Sequence, residues 1–193
     1  MINKKILLPV FILVALAQLY VPAKMIFDRE DILETGTDYK FHTAPIDPSD
    51  PFRGKYIILG YKDNVASIKN EKDWVEGETV YVFLETNQNG FAKIASVSKE
   101  KPSKNQNFLK AKVSSVTSDG SNELTVYFPF DRFYMEESKA PEAEVIYAKT
   151  LQDTTQVTYA LVSIKNGDAV LKDVLIGGIS IIEIVKEKQQ NNK

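Results

Sequence analysis

Three turn signals, Asn89-Gly90, Asp119-Gly120 and Asn166-Gly167, each separate two runs rich in apolar residues at every second position. A side-chain period of two places one face of a strand inward and the other outward. Asn-Gly and Asp-Gly supply the positive φ angles that tight antiparallel connections need. The spacing predicts strand pairs Thr79 to Leu84 with Phe91 to Val97, Phe108 to Val116 with Leu124 to Phe128, and Val157 to Ile164 with Ala169 to Ile176. A last strand is expected over Ile179 to Val185, introduced by Gly177-Gly178. The fold class that follows is mainly β, an antiparallel barrel- or sandwich-like domain. Nineteen phenylalanines and tyrosines suit it, since aromatic rings pack well on a pleated surface.

One or two short helices are expected beside these strands. Ala140 to Lys149 has Pro141 in its first turn, acids early and Lys149 late, as the helix dipole favours. Val65 to Trp74 is expected to hold another. Lys186 to Lys193 reads as a disordered tail.

The N-terminus follows other rules. Lys4 and Lys5 precede an apolar run from Ile6 to Val21, and apolar residues resume at Met25, Ile26 and Phe27. Positions 6–27 suffice to cross a bilayer, which takes ~20 residues. The lysines predict an N-terminus inside and the remainder outside the cytoplasm. Asp28 to Thr35 continues this helix or forms a short stalk, stopped by Gly36. The chain thus divides into an anchor and stalk (1–35), an extracytoplasmic β-rich domain (36–185) and the tail (186–193). The rival reading is a signal peptide cleaved near Ala17, because Ala15-Leu16-Ala17 is a small-x-small site.

With no cysteine, the chain has no disulfide, thiol nucleophile or thiolate metal site. From Asp28 onward, 21 basic residues face 26 acidic ones, a net charge of −5. A mildly acidic surface without a basic stripe argues against nucleic acid as a partner. No cofactor and no metal centre is expected.

The stretch "DPSDPFRGKYIILGY" (Asp47 to Tyr61) concentrates the remaining candidates. Asp47 and Asp50 each precede a proline, which holds them extended. They are the best carboxylate pair for acid-base work, and Arg53 would pair with one of them or recognise an anion. The plainer and favoured reading is turn chemistry leading into a strand. On that strand Ile57, Leu59 and Tyr61 share one face, and Tyr56, Ile58 and Gly60 the other. Asp131-Arg132-Phe133-Tyr134, with Glu137 and Glu144, forms a second polar-aromatic knot that would complete a groove with the first. Its plainer reading is an arginine buttressed by acids at a strand end. The tentative binding set is therefore Asp47, Asp50, Arg53, Tyr56, Tyr61, Asp131, Arg132 and Glu144. His42, the lone histidine, reads as an ordinary strand residue before it reads as a base. A Ser49/Lys55 dyad and a calcium loop at Asp119, Asn122 and Glu123 have weaker patterns, the latter better read as a hairpin turn.

The segment Gly54 to Tyr61 resembles the signature of the GDYXXLXY family of membrane-anchored bacterial proteins. Gly54, Tyr56, Leu59 and Tyr61 occupy the named positions, and Lys55 stands where the signature has Asp. "AQLYVPAKMI", "FPFDRFYMEES" and "NGDAVLKDVLIGG" are similar to other segments of that family. The resemblance implies a bacterial inner-membrane protein with a periplasmic domain and a polytopic membrane or envelope partner, and it brings no established activity. Lys55 weakens any scheme that needs a carboxylate at the second signature position. Two functions stand: a binding or accessory module, or an envelope hydrolase using Asp47, Asp50 and Arg53 with Asp131 and Arg132.

Overall fold

Each of the three turn signals closes a hairpin in the computed structural model, which describes residues 4–44, 56–103, 107–117, 119–153 and 155–191. At Asn166-Gly167 both residues have positive φ, 53° and 95°, the requirement of a two-residue turn of this hand. Helix α1 (Lys4–Thr35) precedes strands β1 (Thr37–Ala44), β2 (Tyr56–Ile58), β3 (Gly60–Tyr61) and β4 (Val65–Ser67). Next come β5 (Thr79–Thr86), β6 (Ala92–Ser98), β7 (Leu109–Val116), β8 (Glu123–Tyr127) and β9 (Arg132–Tyr134). Helix α2 (Ala140–Gln152), β10 (Thr158–Lys165), β11 (Asp168–Ile176), β12 (Ile179–Ser180) and α3 (Ile181–Asn191) complete the chain.

Two five-stranded antiparallel sheets result, in the orders β12-β11-β10-β1-β3 and β4-β8-β7-β5-β6. In the second sheet the edge strands β4 and β6 approach one another, so it is a nearly closed barrel. Its interior follows the period of two: Leu109, Ala111 and Val113 are buried while Lys110, Lys112 and Ser114 are exposed. Between the sheets sits an aromatic cluster. Phe41 lies 5.3 Å from Phe128 and 5.0 Å from Phe130, and Tyr61 stands edge-on to Phe130 at 5.2 Å. These are the tilted and edge-to-face geometries that aromatic quadrupoles favour.

The apolar N-terminal segment is helical through Thr35, and the Gly36 amide donates to the Ile32 carbonyl at 2.9 Å where it ends. The large apolar side chains from Leu8 to Phe27 lie exposed, uncovered by the rest of the protein. The last turn is different. Ile32 is buried, the Ser163 hydroxyl donates to its carbonyl at 2.7 Å, and the Lys165 ammonium reaches Asp31 at 2.6 Å. A side chain at Gly36 would run into the Ile32 carbonyl and the Ser163 hydroxyl, so only glycine lets helix and sheet meet this closely.

Two sequence expectations are corrected. The final strand over Ile179 to Val185 is only the two residues of β12, and α3 runs on from Ile181 to Asn191 through most of the expected disordered tail. The Ser180 hydroxyl accepts from the Ile182 amide at 3.3 Å, and Glu183 stands at the third helical position. That is the Ser-x-x-Glu start signal, which the density of isoleucines in this stretch masks. Ile181 and Val185, four apart, are buried, and Lys188 pairs with Glu142 of α2 at 3.3 Å. The second correction concerns Val65 to Trp74, expected helical. Val65–Ser67 is instead a strand on β8, and only a single 3₁₀ turn, Glu71–Asp73, capped by Asn70, follows it.

Candidate functional site

The signature strand changes sheets in mid-course. Tyr56–Ile58 pairs antiparallel with β9, whereas Gly60–Tyr61 pairs with β1. Leu59 is the hinge between them: its amide donates to the Asp131 carbonyl at 2.8 Å and its side chain is only 2% exposed. The single strand expected over this segment is therefore two short ones. Alternation still sets the faces, with Ile57 and Leu59 buried and Tyr56 and Ile58 half-buried. Tyr61 is also half-buried, and its hydroxyl donates to the Phe130 carbonyl at 2.7 Å.

The β2–β9 pair carries the polar-aromatic knot. Tyr56 lies directly across from Tyr134, with ring centroids 5.1 Å apart. The Arg132 guanidinium sits 5.1 Å from the centre of the Tyr56 ring, a cation–π contact. Tyr134, Tyr56 and Asp131 all favour the charged form of Arg132 further, Tyr134 through a side-chain hydrogen bond. Asp131 lies 3.8 Å from its neighbour's Nε and accepts from the Tyr127 hydroxyl at 2.6 Å. Burial first, and then Asp131, push the Tyr127 phenol up to about 12. Tyr134 is 63% exposed and Tyr127 47%, so two rings, a fixed cation and a carboxylate face outward together.

Of the tentative binding set, Tyr56, Asp131 and Arg132 come together here, and Tyr61 anchors the same corner from within. Glu144 is half-buried on α2 and joins none of the hydrogen bonds or ion pairs of this knot. Asp47, Asp50 and Arg53 lie outside the described residues, as do Ser49 and Lys55. His42 stacks on Phe91 at 3.7 Å and meets Asp63 at 3.1 Å, a half-buried ordinary strand residue. The Asp119 carboxylate accepts the Ser121 amide at 2.9 Å within the β7–β8 turn. Among the described residues no group of three histidine or carboxylate side chains is placed to hold a metal ion. Tyr127 escaped the sequence reading. Its only signal is position, four residues before Asp131 at an outward site of β8.

A family model described as GDYXXLXY protein matches residues 18–174. The chain belongs to the GDYXXLXY family. No curated protein and no solved structure matches it. The match begins within α1 and ends within β11, so the second half of α1, the second sheet, the knot and the first sheet except β12 and the end of β11 lie in the matched part. In this GDYXXLXY protein the described signature residues do two jobs. Leu59 and Tyr61 join the two-stranded β2–β9 pair to the first five-stranded sheet, and Tyr56 presents a ring to Arg132 at the surface.

Behind the knot, the buried Tyr147 and the half-buried Tyr61 make stability depend on alkaline pH. Burial pushes the Tyr147 phenol up to about 12 and drives that of Tyr61 higher still. Between pH 10 and 12 the unfolded chain binds fewer protons at these sites than the folded one. Stability is therefore fully present below about pH 10 and falls as pH rises through this window. Tyr147 Oη has no hydrogen-bond partner among the described residues. Tyr147→Phe is thus expected to change neutral-pH stability by less than about 1 kcal/mol and to flatten the alkaline fall. Urea titrations of both proteins between pH 8 and 12 check this; parallel curves would refute it.

Proposed function

We propose that this GDYXXLXY protein is a single-pass inner-membrane protein whose periplasmic β domain serves as a binding module for a polytopic membrane or envelope protein. The observation that carries this reading is α1. Its 28-residue stretch Leu8–Thr35 is long and apolar enough to cross a membrane, and none of its apolar window is covered by the domain. The domain's core cluster uses no side chain from Leu8 to Phe27. Apolar surface of this size left bare in water is costly at ~25 cal/mol per Å², and a bilayer removes the cost. The exposed Arg132 and Tyr134, with the half-buried Tyr56 between them, supply the residue types that concentrate binding energy at protein interfaces.

Because the chain has no cysteine, topology is readable with one introduced thiol. Ser121→Cys, on the exposed β7–β8 turn, is expected to react with a membrane-impermeant maleimide in spheroplasts, and Asn3→Cys only after lysis. Intact mass must show the N-terminus retained. Labelling of both sites in intact spheroplasts, or loss of the first residues, would sink the anchor. For the partner, a photocrosslinker at Tyr134 should give one adduct with a membrane protein that disappears with Arg132→Ala. An adduct indifferent to Arg132 would dissociate this face from binding.

A further inference from the structure

Where the anchor meets the domain, the surface opens into a cleft of about 290 Å³. Arg29 of α1, Lys110 and Lys112 of β7, and Thr79 of β5 line it. Asp168 is the one acid in the lining. Three cations against one anion is the reverse of the domain's overall balance, which is −5 from Asp28 onward. Of the acids on α1 and β1, Asp31 pairs with Lys165 at 2.6 Å and Asp38 with Lys172 at 2.9 Å. Lys110 and Lys112 point outward from the same face of β7, and no ion pair among the described residues uses either.

The walls of the cleft are tied to one another. Arg29 spends one of its five donors on the Ala169 carbonyl at 2.9 Å, which fixes the helix against the start of β11, beside the β10–β11 turn. The Lys110 amide donates to the Gly167 carbonyl at 2.8 Å, which joins that turn to β7. The cationic groups are therefore carried by a framework that does not need a ligand to assemble. Position then selects the ligand. Arg29 is two residues past Phe27, where the exposed apolar run ends, and a helix rises ~1.5 Å per residue. A bilayer's headgroup layer begins where its ~30 Å hydrocarbon core stops. Arg29, and the cleft with it, stands at headgroup depth.

We propose that this cleft binds the phosphodiester of an anionic lipid headgroup at the outer face of the membrane. Arg29 and the two lysines surround the phosphate, and Thr79 is placed to hydrogen-bond it or its polar substituent. The depth argument rests on the anchor reading above; the charge and the walls of the cleft do not.

The test uses the full-length protein, stripped of lipid in detergent and offered short-chain phosphatidylglycerol or phosphatidylcholine. Native mass spectrometry counts retained lipid. Phosphatidylglycerol should be retained selectively, and Lys110→Gln/Lys112→Gln should lower its retention about twenty-five-fold, a lysine near anionic lipid being worth about fivefold. Lys110→Arg/Lys112→Arg should restore it. Equal retention of both lipids, or selectivity that survives the glutamine pair, would overturn the proposal. Displacement of the lipid by equimolar glycerol phosphate would overturn it in favour of a soluble phosphate ester. Selective retention alongside failed Ser121→Cys labelling would defeat the topology and keep the site, whereas correct labelling without selectivity would defeat the site alone.

Discussion

Gly167→Ala is expected to destabilise the protein by about 2–6 kcal/mol, far more than the same change at Gly90. Both glycines have positive φ, 95° and 82°, where a β-carbon is strained by about 1–3 kcal/mol. At Gly90 a β-carbon would meet nothing within 4 Å, so strain is the whole cost. At Gly167 it would strike the ring of Phe108. Phe108 is buried and packed edge-on to Tyr81 at 5.6 Å, so it has little freedom to move aside, and overpacking of this kind adds about 1–3 kcal/mol. The site also links the two sheets, through the Leu109–Gly167 bridge and the Lys110 amide. Thermal unfolding of the two variants is the measurement. In a chain of this size 1 kcal/mol moves Tm by about 2–4 °C, so the difference is resolvable. Equal losses would mean that Phe108 does not hold the turn. Restoration of part of the loss by Phe108→Leu would identify the ring as the obstacle.

The hairpins were legible in sequence because each is a local device. Asn166-Gly167 specifies its turn by backbone conformation alone, and the alternation around Lys110 and Lys112 states which face is inward. The mainly antiparallel β class and the apolar N-terminal helix follow from such patterns without knowledge of any distant contact. The start of α3 is also written locally, in Ser180 and Glu183, but beneath an isoleucine density that reads as strand. The change of sheet at Leu59 is of another kind. It depends on the Asp131 carbonyl, which lies 72 residues further along the chain, and no periodicity within "KYIILGY" encodes it. The meeting of Tyr56 with Arg132 has the same non-local cause. So does the basic cleft: Arg29 and Lys110 are brought together only because α1 docks on one sheet while β7 belongs to the other.

Leu59→Ala should cost about 2–5 kcal/mol, whereas Tyr56→Ala should cost about 1 kcal/mol, although both are signature residues. Leu59 is 2% exposed at the crossing between sheets, and truncating it leaves a cavity that two hydrogen-bonded strands cannot easily close. Tyr56 is half-buried on the outer side of β2, and its loss removes a cation–π contact worth about 0.5–1 kcal/mol at an exposed site together with the contact to Tyr134. Urea unfolding of both variants in detergent measures the difference, and the photocrosslink at Tyr134 measures the other half. Leu59→Ala should leave the crosslink intact wherever the protein remains folded; Tyr56→Ala should abolish it in a protein that is nearly as stable as the parent. If Tyr56→Ala instead unfolds the protein as readily as Leu59→Ala, the tyrosine belongs to the core, and the surface that it shares with Arg132 loses its claim to a partner. The opposite result would divide the signature by physical role, its leucine joining two sheets so that its first tyrosine can face outward.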